Sequence, residues 1–298
     1  MPDPSQTIRL RRSILSVPAI NQRALEKIHA LDCDAVIFDL EDSVAPEKKA
    51  EARDNLRRFF GETPLSGREA IIRINGLDTD FGAQDLDLVR ELSPDAVAVP
   101  KVDDLAVIDA VEAQLQQACP RLRLWAMMET PRGIANAVEI ARSRQAAASR
   151  LDCFVVGLND LRKETGVAPL RGRTYLIPWL MQAVLAARAY GLDVIDSVYN
   201  DFKDIEAFEE ECAQGRDMGF DGKMLIHPAQ IEPANNAFGP SADAIEDARA
   251  IIAAFAQPEA HTLNVITMNG RMVERLHLKQ AEKLVAQAGR IAERRTHA

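Results

Sequence analysis

Residues 35–42 read Ala35-Val-Ile-Phe-Asp-Leu-Glu-Asp42: four apolar residues in succession, one acid, a leucine, then two more acids. So short and apolar a run, with β-branched and aromatic side chains, fits a strand covered on both faces, as in a parallel sheet. Its acidic end puts charge where the strand leaves its cover.

Seven further runs share this form: Arg12-SILSV-Pro18, Ala70-IIRI-Asn75, Ala96-VAVP-Lys101, Leu122-RLWAMME-Thr130, Cys153-FVVGLN-Asp160, Asp193-VIDS-Val198 and Gly222-KMLIH-Pro228. Between them the apolar period becomes helical. Asn21 stands as a helix N-cap, Leu105, Ile108, Val111 and Leu115 form one stripe, and 179–190 and 205–218 behave likewise. Eight strand and helix alternations predict an α/β fold, a closed (β/α)8 TIM barrel. An open doubly wound sheet is the competing arrangement, but no G-x-G-x-x-G follows the first strand. The barrel is expected over 8–258, its last helix at 241–256 capped by Ser241. Residues 259–298 read as a C-terminal arm, a hairpin at 262–271 and a helix at 272–295, which packs on a neighbouring subunit.

Of 298 residues, 36 are Lys or Arg and 45 Asp or Glu, a net charge of −9 that disfavours polyanions. Two Trp and three Tyr are too few for base-stacking platforms, so nucleic acid is not an expected partner. The four cysteines lie far apart with no C-x-x-C pair, which excludes a written zinc site or disulfide framework and fits a reducing, cytoplasmic setting. No stretch approaches the roughly 20 apolar residues that span a bilayer, so no membrane association is expected.

In such a barrel the chemistry sits at the C-terminal ends of the strands. Those ends carry Glu41 and Asp42, Arg73 and Asn75, Lys101, Glu129, Asn159 and Asp160, Asp196, and His227. Glu129 and Asp160 close adjacent strands. Two hard oxygen donors without His or Cys suit Mg²⁺, ordinary ion pairs being the alternative. Arg73, set among apolar residues, needs an anion: a substrate carboxylate, an enolate oxygen, or Glu41 or Asp42. Lys101 is open to Schiff-base chemistry or to an ion pair. His227, before a proline, either acts as a general base or shapes the site through a backbone bond.

RRSILSVPAINQRALEKI (11–28), DAVIFDLEDSVAPEKKAEAR (34–53), IIRINGLDTDFGAQDL (71–86), METPRGI (128–134), VVGLNDL (155–161), DFKDIEAFEEECAQGRDMGFDGKMLIHPAQI (201–231) and NGRMVERLHLKQAEKL (269–284) resemble, in order, the citrate lyase β-subunit-like proteins. These include the malyl-CoA and citramalyl-CoA lyases within the HpcH/HpaI aldolase superfamily. The resemblance implies a Mg²⁺-dependent lyase that breaks or forms the bond between an acyl-CoA enolate and a 2-oxo acid. It implies metal ligation by Glu129 and Asp160, and contact of Arg73 with the thioester carbonyl oxygen. Backbone N–H groups of Asn159 and Asp160 would meet the oxo-acid carboxylate. Ser16, Lys27, Ile226 and His227 would line the CoA side, and Glu41 and Asp42 would orient Arg73 or metal-bound water.

Two positions depart from the pattern. Asn21 stands where malyl-CoA lyases often have a basic residue. The arm motif Gly270-Arg-Met-Val-Glu274 has Glu where relatives have an Asp that enters the neighbouring subunit's site and exchanges the enolate proton. A trimer or hexamer is implied. Alternatives within the resemblance are a citrate lyase β subunit acting on an acyl carrier protein thioester, a thioesterase variant, and an inactive scaffold.

Overall fold

Each apolar run becomes a strand. The computed structural model describes residues 9–260 and 263–297; position 8 of the expected barrel and positions 261, 262 and 298 of the expected arm lie outside it. The strands are β1 (Ser13–Pro18), β2 (Ala35–Asp39), β3 (Glu69–Arg73), β4 (Ala96–Val99), β5 (Arg123–Met128), β6 (Leu151–Val156), β7 (Asp193–Asp196) and β8 (Gly222–Leu225). They pair in parallel in chain order, and β8 pairs with β1 to close the barrel. At that seam a Cβ on Gly222 would lie 1.7 Å from the Arg11 carbonyl oxygen, so only glycine lets the two edges meet.

The helices between them are α1 (Gln22–Lys27), α2 (Lys49–Glu62), α3 (Gly82–Leu92), α4 (Leu105–Gln114), α5 (Pro131–Ala135), α6 (Ala137–Arg142), α7 (Leu158–Thr165), α8 (Ile177–Tyr190), α9 (Ile205–Met218) and α10 (Ile231–Phe238). Asn21 caps α1 as expected, its side chain accepting from the Ala24 N–H at 3.1 Å.

Two apolar layers explain why the strands look continuous in sequence. Ile14, Ile37, Ile71, Trp125, Met127, Val155 and Ile195 pack together inside the barrel. Their neighbours Leu15, Val36, Phe38, Ile72 and Val156 pack outward with the helix stripe Ile108, Val111 and Leu115. The pleat still alternates; both faces are apolar. The next inward positions after Ile37, Ile71, Met127 and Val155 are therefore Asp39, Arg73, Glu129 and Gly157 at the mouth.

Three boundaries differ from the sequence reading. β6 stops at Val156 and α7 begins at Leu158, so Asn159 and Asp160 lie in the first turn of a helix rather than at a strand end. A carboxylate is favoured in that turn by the helix dipole. The arm hairpin, β9 (Val265–Met268) with β10 (Arg271–Glu274), runs through Glu274, because Asn269 and Gly270 at φ 51° and 73° supply a turn that pairs Met272 with Thr267 and Glu274 with Val265. Helix α12 (Arg275–His297) therefore starts three residues later than expected.

The chain forms two compact units, one of them Arg11–Phe238. Here α10, burying Ile231, Ala234 and Phe238, supplies the last barrel helix; the sequence reading placed that helix at 241–256, a stretch that falls in the other unit instead. The second unit runs from Gly239 and includes α11 (Ala242–Phe255), the hairpin and α12, with the Arg275 guanidinium 5.7 Å over the Phe255 ring. Among the described residues no helix is long and apolar enough to cross a membrane.

Candidate active site

Asp39 and Arg73 are direct register partners on β2 and β3 and share the inward face. The pair is bidentate, with Arg73 Nε donating to Asp39 Oδ1 and Nη2 to Oδ2, both at 2.7 Å. Burial alone would raise the Asp39 pKa, but the guanidinium holds it below the usual carboxylate range, helped by bonds from the Ser43 hydroxyl and the Glu41 N–H. Burial opposes the Arg73 charge, yet Asp39 and Glu41 overcome it and raise its pKa further. Arg73 is thus a permanent, aimed cation. Its orienting partner is Asp39, which the sequence reading missed. Glu41 assists, its Oε2 lying 3.0 Å from Arg73 Nη1, while Asp42 is exposed.

Glu41 lies between two cations: its Oε1 accepts from Lys101 Nζ at 2.7 Å. Burial nonetheless raises its pKa above the ordinary value, and Oε2, although buried, accepts no hydrogen bond. Behind it, the buried Lys49 ammonium donates to the Leu40 and Glu41 carbonyl oxygens and to Asn75 Oδ1 at 2.7, 2.7 and 2.8 Å, fixing the loop after β2. Neither Lys49 nor this bracing was legible from strand ends, because it comes from the following helix.

Glu129 lies just past β5 and is 2% exposed. Its Oε1 accepts from the Lys101 N–H at 2.9 Å. Its other side rests on Gly157, where a Cβ would lie 2.5 Å from both Glu129 Cβ and Oε2; the glycine clears room for the carboxylate. Burial pushes Glu129 up to about 7; Arg73 opposes this, while the charges of Glu41 and Asp160 add to it. Asp160 is partly buried, and its neighbour Asn159 exchanges two amide bonds with Asn200, at 2.8 and 3.2 Å.

Among the described residues no group of three or more His, Cys, Asp or Glu side chains forms a metal cage. Glu129 and Asp160 fit Mg²⁺ all the same, since that ion needs only one or two carboxylates and keeps water and substrate as its other ligands. The supporting observation is the cradle itself: a carboxylate buried on a glycine, whose burial Arg73 does not fully offset, with the charges of Glu41 and Asp160 nearby.

The other expected site residues are more dispersed. Ser16 is partly exposed on β1 and Lys27 exposed at the end of α1. Ile226 is 41% exposed beyond β8. His227 Nδ1 accepts from the Ala229 N–H at 3.1 Å and its ring stacks on Phe202 at 4.3 Å, so of the two roles considered it takes the backbone-bonding one. Glu274 is exposed in the second unit, its N–H donating to His277 Nδ1. Asp196, read as part of the ionic mouth, faces the helix layer instead, buried against Lys223 and Arg173 at 2.8 and 2.6 Å.

Residues 12–228 match the family described as HpcH/HpaI aldolase/citrate lyase. The chain is 47% identical over 281 residues, 94% of its length and 95% of the relative's, to a (3S)-malyl-CoA thioesterase of Cereibacter sphaeroides. It is 32% identical over 287 residues, 94% of each chain, to the citrate lyase subunit beta of Escherichia coli. Among solved structures it is similar to CitE of Mycobacterium tuberculosis in complex with magnesium, acetoacetate and coenzyme A, at 31% identity and a TM-score of 0.73, covering 93% of this chain and 97% of that one.

Proposed function

The chain belongs to the HpcH/HpaI aldolase/citrate lyase family, and from that premise we propose that it is a Mg²⁺-dependent enzyme that hydrolyses a malyl-CoA-type 3-hydroxyacyl-CoA to the free hydroxy acid and CoA. The observation that carries hydrolysis over bond cleavage is the 47% identity, over nearly the whole chain, to a (3S)-malyl-CoA thioesterase. The mouth geometry supports the substrate class.

Glu129 and Asp160 would hold Mg²⁺, which would supply a Lewis acid and help to orient the substrate. Arg73, fixed by Asp39 and Glu41, faces the thioester carbonyl oxygen and stabilises the negative charge that gathers there when water attacks. Backbone N–H groups of Asn159 and Asp160 meet the substrate carboxylate. Ser16, Lys27, Ile226 and His227 line the CoA side. Glu274, supplied by a neighbouring subunit of a trimer or hexamer, takes the proton from water; its carboxyl stands one methylene farther out than an Asp would place it.

A second reading is favoured by the similarity to the citrate lyase beta subunit and to the CitE complex. The same residues then act as a carbon-carbon lyase, with Arg73 stabilising an enolate and Glu274 returning its proton. One assay separates the two: purified protein with (3S)-malyl-CoA, with and without Mg²⁺. Hydrolysis yields malate with a free CoA thiol; cleavage yields glyoxylate and acetyl-CoA with no free thiol. Absence of Mg²⁺-dependent turnover on malyl-, methylmalyl-, citramalyl- and citryl-CoA alike contradicts both readings.

A further inference from the structure

Lys101 has an unusual backbone. Just past β4 it adopts φ 48°, the left-handed region that residues with a side chain seldom enter. Strain of this kind persists where the surroundings over-determine it, often at functional sites. Here both ends of the residue are engaged. The main-chain N–H points at Glu129 Oε1 at 2.9 Å, and the ammonium reaches Glu41 Oε1 at 2.7 Å. One residue thus holds two acids that arrive from different strands and differ in duty: Glu129 in the cradle of Gly157, and Glu41 against Arg73 Nη1.

We propose that Lys101 is a positioning residue with two separable actions: its left-handed main chain sets the angle of Glu129 toward the cation, and its ammonium holds Glu41 so that Arg73 stays aimed at the thioester oxygen. The ion pair also occupies the amine, which leaves no role for the Schiff-base chemistry considered for it. This inference rests on the proposed roles of Glu129 and Arg73.

The test uses the full-length protein, four variants and two readouts: Mg²⁺ affinity by calorimetry on metal-free protein, and kcat and KM with (3S)-malyl-CoA at saturating Mg²⁺. Lys101→Gly enters the left-handed region freely and keeps the N–H. Its Mg²⁺ affinity stays within about two-fold of wild type, while kcat falls about 10- to 100-fold with little change in KM, the scale of a lost supporting contact. Lys101→Met gives the same kcat loss, and Lys101→Arg, which restores a cation, recovers most of it. Lys101→Val, whose β-branch disfavours positive φ, weakens Mg²⁺ binding by about 10-fold or more.

Wild-type kcat in Lys101→Gly and Lys101→Met overturns the role of the ammonium, as does a Lys101→Arg no better than Lys101→Met. Wild-type Mg²⁺ affinity in a folded Lys101→Val, or loss of that affinity in Lys101→Gly, overturns the role of the main chain. If wild type turns over no thioester by either route, the functional reading fails, and the Mg²⁺ affinities of the Gly and Val variants still decide how Glu129 is held.

Discussion

Behind β7 and β8, Asp196 and Glu211 face Lys223 and Arg173, two carboxylates against two cations in contact. Inside the mouth, Arg73 and Lys101 contact Asp39 and Glu41, while the Glu129 carboxylate meets the Lys101 main-chain N–H and feels the nearby charge of Asp160. Both clusters are largely buried, and Asp39 in the mouth is held low by Arg73 much as Asp196 is held by its cations, but Glu41 and Glu129 respond in the opposite direction. Burial would raise Asp196, but Lys223 and Arg173 hold it below the ordinary range. Burial raises Glu129 to about 7, a shift that Arg73 opposes without cancelling and to which Glu41 and Asp160 add. A buried carboxylate whose burial its cations offset, such as Asp196, reads as scaffold, whereas one whose burial they do not, such as Glu129, is a candidate for a further cation.

The sharpest way to break this contrast is to remove a charge from each side. Glu129→Gln should lower kcat/KM by about 10³-fold or more, ~4 kcal/mol of barrier, while leaving the metal-free protein as stable as wild type or more so. Steady-state kinetics and urea unfolding on one preparation check both halves. The scaffold cluster should do the reverse. Lys223→Met leaves Asp196 and Glu211 to share Arg173 alone and should cost about 3–5 kcal/mol in urea unfolding, with the Mg²⁺ affinity of the folded protein unchanged.

Acid and base sharpen the comparison because the two slopes differ in sign. In the metal-free protein Glu129 keeps its proton to about pH 7, whereas the unfolded chain releases it near its ordinary 4.5. Between those values the native state binds more protons, so stability falls as pH rises, by on the order of 3 kcal/mol. The melting temperature without metal should therefore decline from pH 5 to 7.5, and the decline should vanish with Mg²⁺ or in Glu129→Gln. Asp196 is depressed, so its stabilisation is complete above its unfolded pKa and lost only as pH falls below about 4.

The smallest effect concerns thiols. Cys33, Cys153 and Cys212 are buried and Cys119 exposed. Burial pushes Cys212 up to about 12 beside the Asp196 cluster and raises Cys153 also. A chromogenic disulfide should titrate one thiol per native chain, and Lys223→Met should speed the labelling of Cys212 by loosening its surroundings.

The barrel was legible because each run was too short for a helix and too apolar for an exposed strand, and the alternations came to eight. Arg73, Glu41 and Glu129 were legible as strand-end charges; Asp160 was read as one too but lies in the first turn of α7. Asp39 was not, because the run was read as uniformly buried; applying the two-residue pleat to Ile37 would have turned Asp39 and Glu41 inward and Asp42 away. The same alternation would have turned Asp196 outward from Ile195. Lys49 and the left-handed Lys101 depend on tertiary contacts and a backbone state that no spacing encodes. The start of α7 was hidden because Gly157, needed to clear Glu129, also ends the strand.

Calorimetric titration of Mg²⁺ into metal-free wild type, Glu129→Gln and Lys223→Met tests the central claim most directly. One ion per chain should bind wild type and folded Lys223→Met with equal affinity, and none should bind Glu129→Gln. Undiminished binding in Glu129→Gln, or none in wild type, would contradict the reading of the mouth as a divalent cation site.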